Sequence, residues 1–263
     1  MRVRIRQRRS TALESRPMRG DNIFSDIRLE HPPRAVVPGL ATAKKAQVIR
    51  PTSFQIDPIE RVTSASSEHA RGIGCISANG TVITPSGPRP ASVIAKGDKV
   101  LTRDNGFQTV RWCTHQLDHA AMPSLVEISA GAISEGKPDS DLCVTGSQRL
   151  LVTGTQVSES FGASEVLVRA GDLLHLDGFE EVHEHVGFVA LVFDQHEIMR
   201  VNQTWVASLQ PDHVCRNHLS KLQCEELFKI FPALKGLPIE RSYPAARPLL
   251  SARFARQVCL NAC

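Results

Sequence analysis

RGIGCISANGTVITPSGPRPASVIAKGDKVL, residues 71–101, sets a single cysteine behind two glycines and then runs through a close series of turn signals. A structural thiol is ordinarily carried inside a strand or helix as a small apolar side chain. Cys75 instead follows Gly72 and Gly74, which have no side chains to shield the backbone beside the sulfur. That placement points to chemistry at the thiol. Downstream, Asn79-Gly80 and Asn105-Gly106 read as hairpin turns, since both central residues of a type I′ turn take positive φ. KVLTRDNGFQTVRW, residues 99–112, therefore reads as a complete hairpin.

Outward from that stretch the chain divides into three parts. From Cys75 to about Gln210, short β-rich segments alternate with turn signals at close spacing, which predicts an all-β sandwich or barrel rather than alternating β and α. Residues 1–71 lack periodicity, carry Pro17, Pro32, Pro33, Pro38, Pro51 and Pro58, and end in a small polar run, so a mostly disordered leader is expected. After Gln210 the spacing becomes helical. Asp212 is expected to cap a helix bearing Val214, Leu222, Leu227 and Phe228, and Pro244 to open another through Arg256, both packing against the β domain. The expected domains are thus 1–71, 72–210 and 211–263.

Composition narrows the function classes. The 263 residues are 41% apolar, enough to bury a core. No window reaches the roughly 18 unbroken apolar residues of a membrane helix, and the first residues lack the apolar segment of a secretory signal, so a cytoplasmic protein is expected. The net charge of +4 is misleading, because residues 1–20 alone hold seven Arg and one Glu. No aromatic residue interleaves those arginines to stack on bases, so a solvated arm is favoured over nucleic-acid binding. Seven cysteines without a CxxC pair argue against a disulfide framework. Of His213, Cys215, His218 and Cys224, only Cys215 and His218 would share a helix face, so neither a metal nor another cofactor is called for.

With these residues in view, CISANGTVITPSGPRPASVIAKGDKVLTRDNGFQTVRW resembles the opening of a Hint domain, the self-processing module of hedgehog proteins and inteins. The resemblance is greatest to the bacterial stand-alone hedgehog/intein-like subgroup. VTGSQRLLV falls where that subgroup has a Ser/Thr-x-x-His motif, FVALVFDQHEIMRV resembles its penultimate strand block and NQTWVASL its closing segment. The resemblance implies a horseshoe-like all-β fold in which the thiol of the first residue, Cys75, attacks the carbonyl of Gly74. The amide would become a thioester, and water, a thiol or an amine would then release the N-terminal segment, which is the substrate.

The resemblance also assigns roles at the site. Thr145 would position the scissile peptide, and His196 would activate the thiol as the family's strand histidine, with Asp194 on the same strand face to orient it. Gly74 would let sulfur approach the carbonyl and tolerate unusual backbone angles. Three positions depart from the pattern: Gln148 stands in place of the motif histidine, Ala190 in place of a strand histidine, and Ala207 in place of a closing acid. Glutamine donates a hydrogen bond but delivers no proton at neutral pH. Asn202 is followed by Gln203 rather than Cys, Ser or Thr, which argues against splicing, and the terminal Asn261–Cys263 reads as a frayed tail. Two readings stay open: a single-turnover autoproteolytic domain, impaired by Gln148, and a degenerate Hint fold serving as a binding or structural module.

Overall fold

The computed structural model describes residues 72–115, 124–183, 187–258 and 260. The basic leader, His119, His185 and the Asn261–Cys263 tail lie outside the described residues.

The β-rich reading of 75–210 holds, and the strands form two antiparallel sheets. The first sheet has the order β11-β7-β8-β1-β12-β6. Its members are β1 (Ile76–Ser77), β6 (Trp112–Thr114), β7 (Leu125–Ile128), β8 (Leu142–Thr145), β11 (Phe179–Val182) and β12 (Phe188–Val192). The second has the order β10-β9-β14-β13-β2-β3, with β4 paired to β13 and β5. It is built from β2 (Thr81–Thr84), β3 (Gly87–Pro90), β4 (Lys99–Thr102), β5 (Gly106–Thr109), β9 (Arg149–Thr153), β10 (Glu165–Arg169), β13 (Ile198–Val201) and β14 (Thr204–Ala207). A short helix, α1 (Thr155–Phe161), joins β9 to β10.

The central strands of the first sheet, β8, β1 and β12, are buried on both faces, and period-two alternation sorts their side chains. Ile76, Val144, Val189 and Leu191 enter the main core, while Cys75, Cys143, Phe188, Ala190, Val192 and Trp112 enter a second apolar cluster on the opposite face. This explains why all five residues of FVALV in β12 are buried.

The turns differ from expectation in detail. Thr102 pairs with Gly106 across a three-residue loop, and only Gly106 takes a positive φ, 63°, so the β4/β5 hairpin is closed by a left-handed glycine rather than a type I′ pair. Trp112 leaves that hairpin to join β12 in the other sheet. Asn79-Gly80 carries the chain from β1 to β2, which lie in different sheets and do not pair. The residues with both central φ values positive are Asn202 (43°) and Gln203 (60°), joining β13 to β14 with Val201 opposite Thr204. That is the two-residue geometry preferred for hairpins.

Beyond the sheets the expected first helix is two. Asp212 does cap α2 (His213–His218), accepting from the Cys215 N–H at 2.8 Å. The chain then breaks at Leu219, and Ser220 starts α3 (Lys221–Ile230) through a capping box with Gln223. The expected helix from Pro244 to Arg256 is not formed. After α4 (Ile239–Ser242) the chain is extended, Leu167 donating to Pro248 O and Leu250 to Leu167 O, and only α5 (Ala252–Ala255) is helical. Pro244 and Pro248 force the residues before them out of the helical region.

Candidate functional site

The site is built by register. Ile76 lies opposite Val144 on one side and Val189 on the other, which brings Cys75, one residue earlier, between Thr145 and position 190. Thr145 grips the segment entering β1 through both polar capacities of its hydroxyl. The Cys75 N–H donates to Thr145 Oγ1 at 2.9 Å, and Thr145 Oγ1 donates to Ile73 O at 2.7 Å. A third bond, from Thr145 N–H to Cys75 O at 3.1 Å, completes the frame. The Gly74–Cys75 peptide is thus held at its nitrogen and at the carbonyl one residue upstream.

Gly74 serves close approach rather than unusual backbone angles, since its φ is not among the positive values, whereas that of Gly72 is. A Cβ at position 74 would stand 3.3 Å from both Gln148 Oε1 and Ser147 O. Gln148 is buried and turned away from proton donation: its Nε2 donates to Ala207 O at 2.7 Å and to Arg149 O at 3.2 Å. It therefore shows its acceptor oxygen to Gly74. In the same turn Ser147 Oγ is buried without a hydrogen-bond partner among the described residues.

His196 and Asp194 do not stand as expected. Both lie in the loop between β12 and β13, not on a strand, so they share no strand face. Asp194 is exposed and pairs with Arg111 at 3.3 Å. His196 is buried, its Nδ1 accepting the Ala246 N–H at 2.8 Å and its Nε2–H donating to Ser208 O at 3.1 Å. A backbone N–H can only donate, so the tautomer is fixed and the basic nitrogen is occupied. Burial, and then the charge of Arg149, push the imidazole down to about 3 from the ordinary 6.5, so it is neutral at pH 7.

Among the described residues no base or cation offsets the cost of ionising Cys75. The thiol is 1% exposed and burial pushes it far above the usual thiol range. Ala190, the next register position after the Ile76–Val189 pair, stands opposite Cys75 and offers no polar group. Cys215 of α2 lies in the same apolar cluster, where burial first and then the charge of Asp212 push its thiol up. Among the described residues no three His, Cys, Asp or Glu side chains converge as a metal cluster.

A family model described as Hint domain matches residues 74–213, more than half of the chain. The chain belongs to the Hint family. A Hint domain is a self-processing or self-splicing module as a general class, and the matched span begins at the Gly74–Cys75 peptide. No curated protein matches. Among solved structures, the gp41-1 intein is similar at 13% identity and a TM-score of 0.33, covering 51% of this chain and 97% of that chain. The MchDnaB-1 intein is similar at 14% and 0.32, covering 50% and 98%. The family assignment of this Hint domain therefore rests on the sequence match. Sequence reading missed the partners that silence His196, because Ser208 O and Ala246 N–H are backbone groups without a sequence signature. Position 190 carried a legible signal, but its place opposite Cys75 needed the register of a two-residue strand.

Proposed function

We propose that this Hint domain acts on its own Gly74–Cys75 peptide by an N-to-S acyl shift, slowly. The observation that carries the reading is the Thr145 hydroxyl bridging the Cys75 N–H and Ile73 O, which fixes the peptide beside the thiol. In the step, Cys75 Sγ forms a bond to the Gly74 carbonyl carbon, the C–N bond breaks, and the thiol proton ends on the freed α-amine of Cys75. Water, an added thiol or an amine then takes the acyl group and returns the Cys75 thiol. Thr145 is the positioning residue. Gln148, with its amide protons on two backbone carbonyls, cannot protonate the leaving nitrogen, and loss of a positioned acid lowers the rate by about 10²- to 10⁴-fold. His196 is a structural histidine in this reading, and Asp194 has no part.

The second reading, a Hint fold kept as a binding or structural module, is favoured by the buried, protonated Cys75 and the alanine opposite it. Intact-mass measurement over several days, with and without a small thiol, separates the two. Thiol-dependent fragments meeting at Gly74/Cys75, absent in Cys75→Ala, support processing. Unchanged mass in the parent chain together with cleavage in Gln148→His identifies the missing proton donor as the cause, and unchanged mass in both leaves the module.

A further inference from the structure

We propose that the Cys75 face of the first sheet is an intramolecular docking surface whose occupant is residues 213–246 of the same chain, a removable cover that seals the thiol. The face presents Cys75, Trp112, Leu125, Phe188, Ala190 and Val192, and the apolar side chains against it are Cys215, Leu219, Leu227, Leu234 and Tyr243. Polar contacts fix the seating: Trp112 Nε1–H donates to Glu226 Oε2 at 3.0 Å, Gln223 Nε2 to Thr114 Oγ1 at 2.9 Å and Tyr243 OH to Phe193 O at 3.0 Å. The Ala246 N–H closes the remaining lone pair of His196. One segment thus shields both groups that the family would use for thiol chemistry. It is suited to removal because α2 to α4 hold 6, 10 and 4 residues, lengths that are not stable alone in water, so they owe their order to docking. The strands beneath are held by their own ladders. That the sealed chemistry is the acyl shift rests on the function proposed above; the seal itself does not.

Cysteine alkylation of the full chain, read by peptide mass in a series of urea concentrations below the unfolding transition, tests the cover. Cys215 reports undocking of the segment and Cys75 reports exposure of the face, while amide exchange in β9 and β10 reports opening of the sheets. The expected result is that Cys75 and Cys215 label together at urea concentrations where β9 and β10 remain protected. Tyr243→Ala, which removes the ring and the bond to Phe193, should raise both rates at least tenfold. Early labelling of Cys215 with Cys75 still protected overturns the proposal, since the sheet then buries the thiol unaided. Labelling of both only with global exchange overturns it as well, since the segment is then an integral part of the core. Neither readout requires cleavage, so a chain that opens without being processed counts against the acyl shift and not against the cover.

Discussion

At the scale of single residues, the frame around Cys75 makes Thr145 the most sensitive position of the site. Thr145→Val keeps shape but strands the Cys75 N–H and the Ile73 carbonyl in a buried setting, each unpaired group costing about 1–3 kcal/mol. Urea unfolding should show a loss of at least about 2 kcal/mol for Val and less than about 1.5 kcal/mol for Ser, which keeps the hydroxyl. Gly74→Ala tests the close approach. Its methyl group would meet Gln148 Oε1 and Ser147 O at 3.3 Å, so a destabilisation of about 1 kcal/mol is expected by the same measurement, as for other overpacked sites. If Gly74→Ala matches the parent chain, the packing of Gln148 against position 74 is looser than described.

At the scale of elements, the β13/β14 hairpin turns on two residues in left-handed conformation, and the two have different duties. Asn202 is 4% exposed; its Oδ1 accepts from Thr81 N at 2.7 Å and its Nδ2 reaches Asp141 O at 3.2 Å. Gln203 has φ 60° and no comparable bonds among the described residues. Gln203→Gly should therefore stabilise by up to about 1 kcal/mol, read as a higher melting temperature, because relief of a left-handed strain of about 1–2 kcal/mol outweighs the entropy that glycine adds to the unfolded chain. Asn202→Ala should destabilise, losing both the conformation and the ties to β2. The sequence carried the β character of this region plainly, in alternation and turn residues, yet it pointed to Asn105-Gly106 for the type I′ turn and passed over Asn202-Gln203. A glutamine with positive φ gives no local signal; cross-strand hydrogen bonds impose the conformation. The helices fail to read for a related reason. Leu219 and Ser220 interrupt what looked like one amphipathic run because Ser220 offers a capping box, and local capping outweighs continued periodicity.

At the scale of the whole molecule, two ionisable groups link distant segments and set how the fold answers acid. His196 joins the β12/β13 loop to β14 and to the chain at Ala246. Its folded value, about 3, lies below the ordinary 6.5, so the unfolded chain binds the proton more readily. The stability it confers is complete above pH 6.5 and is lost as pH falls toward 3, with a slope approaching about 1.4 kcal/mol per pH unit. Glu165 of β10 accepts from Arg103 and, at 2.6 Å, from Arg247 Nε, while Arg247 Nη2 also holds Asp104 at 2.6 Å. Burial alone would raise the Glu165 carboxyl, but the hydrogen bonds and charges of Arg103 and Arg247 outweigh it and hold it below its ordinary 4.5. Its contribution is present above that value and fades below it. Urea midpoints taken from pH 8 to pH 3 should therefore fall in two stages, the first beginning near pH 6.5 and the second below pH 4.5. His196→Gln, which keeps a donor for Ser208 O, should flatten the first stage and spare the second; Glu165→Gln should do the reverse. A first stage that survives His196→Gln would mean that the imidazole is not held neutral between Ser208 and Ala246, and the chain at Ala246 would then be free to move away from the sheets without surrendering a hydrogen bond to that ring.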